Sequence, residues 1–149
     1  MRRRLSRGTK RDDMNGDGSA DGLLTGQDGL DGEHRFQLEL LTAFARALED
    51  GRGAAIDDIL DPLIEYTKVH FSSEELLMRL YQYPHYQEHV DDHERIVERL
   101  EDLRRARLAG SEASAGSDAD QPSDWISAHI RGADRALGHF LVRLGIGAG

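Results

Sequence analysis

Histidine stands in this sequence where leucine would be expected. The chain has seven histidines, and at least one falls in each of four apolar stripes that repeat with the helical period. The first stripe, from about residue 33, is His34, Leu38, Leu41, Ala45 and Leu48, closed by Asp50-Gly51-Arg52-Gly53. The second is Ile56, Leu60, Leu63, Thr67, His70, Glu74 and Leu77. Pro62 interrupts it, which implies either a kink or a short leading turn with Asp61 capping a new start. After the break at Tyr81-Gln82-Tyr83-Pro84 comes His89, His93, Ile96, Leu100 and Leu103. Pro122 opens the last stripe, with Trp125, Ile126, His129, Ile130, Ala133, Leu137, Phe140 and Leu144 inward. No strand-period run competes. The expected class is all-α, an antiparallel up-and-down four-helix bundle.

Residues 1–30 are rich in Gly, Asp and Arg and are read as a disordered tail, basic and then acidic. The bundle is expected over 31–146, with a flexible low-complexity linker at 109–121. Asp13, Asn15, Asp17 and Gly18 match the start of an EF-hand loop. Leu24 stands where a bidentate Glu is required, so the segment is read as an acidic turn. Met14 offers an alternative start of translation.

The net charge is −9 even though the first eleven residues carry six Arg or Lys and no acid. So acidic a body argues against a nucleic-acid partner. The basic tail could touch nucleic acid or anionic lipid, but without aromatic interleaving or an apolar face it reads as a solubilising tail. No apolar h-region follows it, so it is not a signal peptide, and no run approaches a membrane span. A cytoplasmic location is expected. There is no cysteine, so thiolate sites, disulfides and thiol nucleophiles are excluded, and any metal must be held by His and carboxylate.

The chemistry follows from what the stripes would bury. His70 and Glu74 are spaced i, i+4, as are His89 and His93; His34 lies on the first helix, and His129 and Asp134 on the fourth. His85 is a third histidine in the i, i+4 series, and spacing alone does not say which of the three binds. Five imidazoles and two carboxylates are costly in a core unless satisfied together. A cluster of metal ions does this: two divalent ions against two carboxylates and a hydroxide leave a small net charge. On an ideal α-helix His129 and Asp134 lie about 140° apart. A single-face chelate would not be built so, and the spacing alone marks Asp134 only weakly; an Asp reaching in from the side is possible, where Gly132 and Ala133 leave room.

The run YTKVHFSSEELLMRLYQYPHYQEHVDDH, the later WISAHIRGAD and the early LDGEHR together resemble the hemerythrins, most closely the bacterial hemerythrin-like domains. The resemblance covers about residues 24–145. It implies a non-haem di-iron site, two Fe ions per chain with an oxo or hydroxo bridge. His89, His93 and His129 would hold one iron, His34 and His70 the other, and Glu74 and Asp134 would bridge them. The two-histidine iron keeps an open position where O2 binds reversibly, without net turnover, so no enzyme activity is expected. By the same resemblance Phe71, Trp125, Ile126 and Ile130 line a dry O2 pocket. Family spacing makes His85 a bystander, Glu75 an outer partner or solvated, and Tyr66 and Met78 packing residues. The chain departs from many bacterial members in having no aromatic ahead of the first histidine, and in its long acidic linker.

Among rival chemistries, ferritin-like carboxylate sites use Glu-x-x-His pairs, and no Glu here has a His three residues later. A zinc protease needs His-Glu-x-x-His, and Val97 stands at the required position. The stronger rival keeps the iron and changes its use, to redox or O2/NO sensing or iron handling. No receptor or output domain accompanies the bundle, which weighs toward carriage.

Overall fold

The computed structural model describes residues 23–110 and 121–147. The basic tail, the Asp13–Gly18 motif, Met14 and most of the linker lie outside them. The fold is four helices in sequence: α1 (Asp28–Glu49), α2 (Gly53–Leu80), α3 (Tyr86–Leu108), and a fourth built of three contiguous pieces. Those pieces are α4 (Pro122–His129), a π-helical turn (Ile130–Asp134) and α5 (Arg135–Arg143). α1 packs on α2 and α2 on α3, while α1 and α3 both meet α4, which closes the bundle. There is no strand among the described residues, and no helix there is long and apolar enough to cross a membrane.

Chain reversals are cut by local chemistry. α1 ends in a Schellman motif: Gly51 has φ 62°, and the Gly51 and Arg52 amides donate to Leu48 and Ala47 carbonyls. α2 ends the same way, with Gln82, a non-glycine residue at φ 53°, in the left-handed position. There Tyr83 N–H donates to the Met78 carbonyl at 2.9 Å, and the two side chains share one buried cluster. Pro62 neither ends nor restarts a helix. α2 runs through it, because Pro62 lies on the exposed face and water can solvate the carbonyl it leaves unpaired.

Three expectations are corrected. The tail does not extend to residue 30: Thr25, Gln27 and Leu30 are buried, and Gln27 caps α1 through its side-chain oxygen, which accepts from Leu30 N–H at 2.7 Å. Composition concealed this, since the packing uses polar hydrogen bonds; Asp31 accepts from both the Thr25 amide and hydroxyl. The inward stripe of α1 is rotated to include Gln37, Phe44 and Ala47, with Leu38, Ala45 and Leu48 at its margin. Gln37 was invisible to an apolar pattern; it is fully buried and donates to Thr67 Oγ1 at 3.0 Å. Leu144 is 53% exposed because it is the cap after α5, beyond the last inward turn.

The core is split along the bundle axis. One apolar cluster contains Leu41, Leu63, Phe71, Ile96, Leu100, Ile126 and Ile130. The other contains Leu30, Met78, Tyr83, Leu137 and Leu141. On each helix the buried histidines lie between residues of these two clusters. The second cluster is clasped from outside by the Thr25 segment, which crosses α5 at Gly138. A Cβ at 138 would stand 2.5 Å from Thr25 Cβ and 2.8 Å from its carbonyl oxygen. Gly138→Ala should therefore destabilise the fold by about 1–3 kcal/mol despite alanine's better helix propensity, read as a melting temperature several degrees lower by circular dichroism.

Candidate metal centre

Seven side chains meet between the two clusters: His34 from α1, His70 and Glu74 from α2, His89 and His93 from α3, His129 from α4 and Asp134 from the π turn. All are buried, Glu74 and Asp134 completely. The π turn answers the difficulty of the i, i+5 spacing. Its i→i+5 pitch brings residues 129 and 134 about one turn apart, so both point into the bundle, and His129 Nε2 stands 2.9 Å from Asp134 Oδ1. Close approach at Gly132 is not the device, since a Cβ there would meet nothing within 4 Å.

The two carboxylates divide the histidines between them. Glu74 Oε1 faces His34 and His70, while its Oε2 lies 3.0 Å from His89 Nε2 and 3.5 Å from His93 Nε2. Asp134 Oδ2 lies 2.8 Å from His34 Nε2, and its Oδ1 is 3.0 Å from His89 Nε2. Two donor sets result, each with ligand atoms within 4.8 Å of one another. One has three imidazoles and two carboxylate oxygens; the other has two imidazoles and two oxygens. Although these atoms are in contact range, Nε2 of His34, His70, His93 and His129, with Glu74 Oε1 and both Asp134 oxygens, has no partner in hydrogen-bond geometry. Such buried atoms are normally satisfied. Lone pairs that converge without pairing fit a metal ion, and the donor types suit a borderline transition metal.

The opposite ring nitrogens are fixed by carboxylates at the helix seams. His70 Nδ1 donates to Glu33 at 2.8 Å, His93 Nδ1 to Glu75 at 2.9 Å and His129 Nδ1 to Asp92 at 2.5 Å. This sets the tautomer that leaves Nε2 as the inward lone pair when the ring is neutral. Glu33 and Asp92 went unread in the sequence. Their signal was adjacency: each directly precedes a histidine of the centre, yet serves the next helix. Tyr66 donates its hydroxyl to the Glu33 carbonyl at 3.0 Å, and its ring lies parallel to that of His70.

The remaining expected residues are placed as follows. Phe71 stacks on His93 with ring centres 3.8 Å apart and leans on His70 and His129. Ile126 and Ile130 are fully buried in the same cluster, and Trp125 packs against it with Arg99 over its ring. Met78 is buried on the other side of the centre. His85 is exposed at the start of α3, outside both donor sets.

Electrostatics in the protein alone follow from burying two anions. Burial would lower His70, but the hydrogen bond to Glu33 and the close carboxylate charge of Glu74 outweigh it and hold its pKa at about 10. His129 reaches about 10 against burial through the close charge of Asp134 and the hydrogen bond to Asp92. His34 and His89 are raised, again against burial, by Asp134 and Glu74. Burial pushes Glu74 up, yet four imidazoles hold it well below the usual carboxylate range. Asp134 is likewise lowered, the imidazoles outweighing burial and the nearby Glu74.

Comparison with known proteins agrees with the geometry. The hemerythrin HHE cation-binding domain matches residues 25–141. A bacteriohemerythrin of Stenotrophomonas maltophilia is 34% identical over 116 residues, 78% of this chain and 75% of that protein. One from Pseudomonas paraeruginosa is 30% identical over 76% of this chain and 74% of its own length. One from Methylococcus capsulatus is 29% identical over 72% and 82%. No solved structure gives a significant match.

Metal and protons compete for the same nitrogens, which fixes a pH dependence. A histidine raised from 6.5 to about 10 stabilises the metal-free fold fully below pH 6.5, and that contribution is lost as pH rises toward 10. The lowered carboxylates contribute above their ordinary 4.5 and 3.8 and lose their contribution as pH falls. The metal-free chain should melt highest between about pH 4.5 and 6.5 and lower toward pH 10. The metal-loaded chain needs neutral imidazoles, so its advantage should widen with rising pH. Thermal melts of both forms from pH 5 to 9 test this; parallel curves would contradict it.

Proposed function

The chain belongs to the hemerythrin HHE cation-binding family, and on that premise we propose that it is a non-haem di-iron protein that binds O2 reversibly. The observation that carries this reading is the unequal division of donors. Each carboxylate turns one oxygen to either set, as a bridge requires, and one set has three imidazoles where the other has two. In this reading His89, His93 and His129 hold one iron, His34 and His70 the other, and Glu74 and Asp134 bridge them. The His34/His70 side is one protein donor short, which is where a small exogenous ligand fits. When bound, the iron pair supplies a redox-active centre able to hold O2.

The chain's own residues do the rest. Glu33, Glu75 and Asp92 accept the Nδ1–H of three ligating rings, orienting them and raising their basicity. Phe71, Ile126 and Ile130, with Trp125 at the margin, keep water from one side, and Met78 and Leu137 from the other. Exclusion of water favours reversible binding over irreversible oxidation. No residue at the centre is positioned as a nucleophile, and carriage consumes no substrate, so the role is binding. A cytoplasmic site of action is consistent with the sequence.

The purified, iron-loaded chain should carry two iron atoms. It should show a visible charge-transfer band in air that disappears on reduction and deoxygenation and returns with O2. Much less than two iron atoms per chain contradicts the centre. A ferrous form that bleaches in air with no stable oxygenated spectrum supports the redox or O2/NO-responsive use instead. His89→Ala should lose the band and His85→Ala keep it. Asp92→Asn should lower metal affinity about 10–100-fold while leaving the helices intact.

A further inference from the structure

α2 carries two seams. Its inner seam builds the core and the metal centre. Its outer face, opposite, exposes Val69, Leu76 and Leu80 at 66%, 51% and 64%. With the half-buried Tyr66 and Ser73 these stand at i, i+3, i+7, i+10 and i+14, the a/d rhythm of a coiled coil. Phe36 of α1, 47% exposed, packs edge-on against Tyr66 and widens the strip. Scattered exposed leucines need no explanation, but a heptad-spaced row does.

The flank of this row identifies its occupant. Glu65, Ser72 and Arg79 are seven residues apart and occupy successive g positions of the same heptads. In an antiparallel pair of helices g faces g, and a row reading acid, neutral, base is its own complement when turned end for end. Glu65 then meets Arg79 of a second copy, Arg79 meets that copy's Glu65, and Ser72 lies on the two-fold axis. The same register stacks Val69 on the second copy's Ser73 and Leu76 on its Tyr66, with the small Ser73 allowing close approach. Neither charged residue is firmly engaged within the chain: Glu65 is 4.0 Å from Lys68, and Arg79 donates to the exposed Tyr86 hydroxyl at 3.1 Å.

We propose that the outer face of α2 is a homodimer interface, two copies meeting antiparallel about Ser72. The interface lies behind Tyr66 and hence behind Glu33 and His70, but it uses none of the metal-centre residues. It stands independently of what the centre binds.

Sedimentation of the full, iron-loaded chain at physiological salt, from micromolar to hundreds of micromolar, tests this. Long-range repulsion between the acidic bodies is largely screened there. A reversible dimer is expected. Leu76→Glu should weaken it at least about 100-fold by placing carboxylates in the seam. Glu65→Arg and Arg79→Glu should each weaken it about tenfold or more through like-charge contacts. The combined E65R/R79E should return to within about threefold of the original chain, because the complement is restored. Unchanged helical circular dichroism and iron content exclude misfolding as the cause. A wild-type chain that stays monomeric at the highest concentration overturns the proposal and leaves the row to a different protein. A dimer indifferent to Leu76→Glu, or a double variant no better than the singles, overturns it by placing the contact elsewhere.

Discussion

Two carboxylates with no exposed surface sit in the middle of this bundle, and the structure is organised around compensating them. A buried anion is tolerable only when paired and hydrogen-bonded or bound to metal. Glu74 and Asp134 share a pocket with five imidazoles, which can answer as cations when protonated or as neutral ligands around a metal. Every helix therefore has to deliver at least one polar side chain to the same level. The apolar residues are divided into a cluster above and a cluster below, so the polar layer is sealed at both ends by hydrocarbon. Removing the compensation would leave the most strongly desolvated charges in the molecule unanswered.

A second rule governs the seams. Consecutive residues on a helix point about 100° apart. When one faces the bundle axis, its neighbour faces the groove shared with the next helix. Glu33 beside His34, Glu75 beside Glu74, and Asp92 beside His93 all use this relation. Each braces a histidine one helix further on: His70, His93 and His129. The pattern stops at the fourth helix. Ile130 and Arg135 flank the polar residues there, and His34 Nδ1 is buried without a partner. The two-histidine set thus has one braced ring and one unbraced ring, and the three-histidine set has two braced rings of three.

Much of this was legible in the sequence, for a physical reason. Histidines and acids inside an apolar period stand out because burial penalises them, so His34, His70, Glu74, His89, His93 and His129 declared themselves. Asp134 was harder. Its spacing violates the α-helical period, and only a local widening of the backbone, which composition does not announce, reconciles it with the interior. Gln37 was masked because a glutamine satisfied by one hydrogen bond, here to Thr67, looks like solvent-facing sequence. The Thr25–Leu30 segment was masked too, since its Gly and Asp content reads as disorder until its hydrogen bonds are seen. Glu33 and Asp92 looked like ordinary surface acids, because the partners that give them a role lie on other helices.

The clasp at the ends of the bundle has a topological consequence. Asp28 N–H donates to the Gly147 carbonyl at 3.3 Å, so the two ends of the described bundle lie side by side. All seven polar residues of the centre lie between those two points, and none lies in the connection from 109 to 121. Joining the ends with a few residues and reopening the chain in that connection would carry the fourth helix ahead of the first without displacing a donor. The same adjacency suits the bundle to insertion whole into a surface loop of another protein, entering and leaving by a single gate.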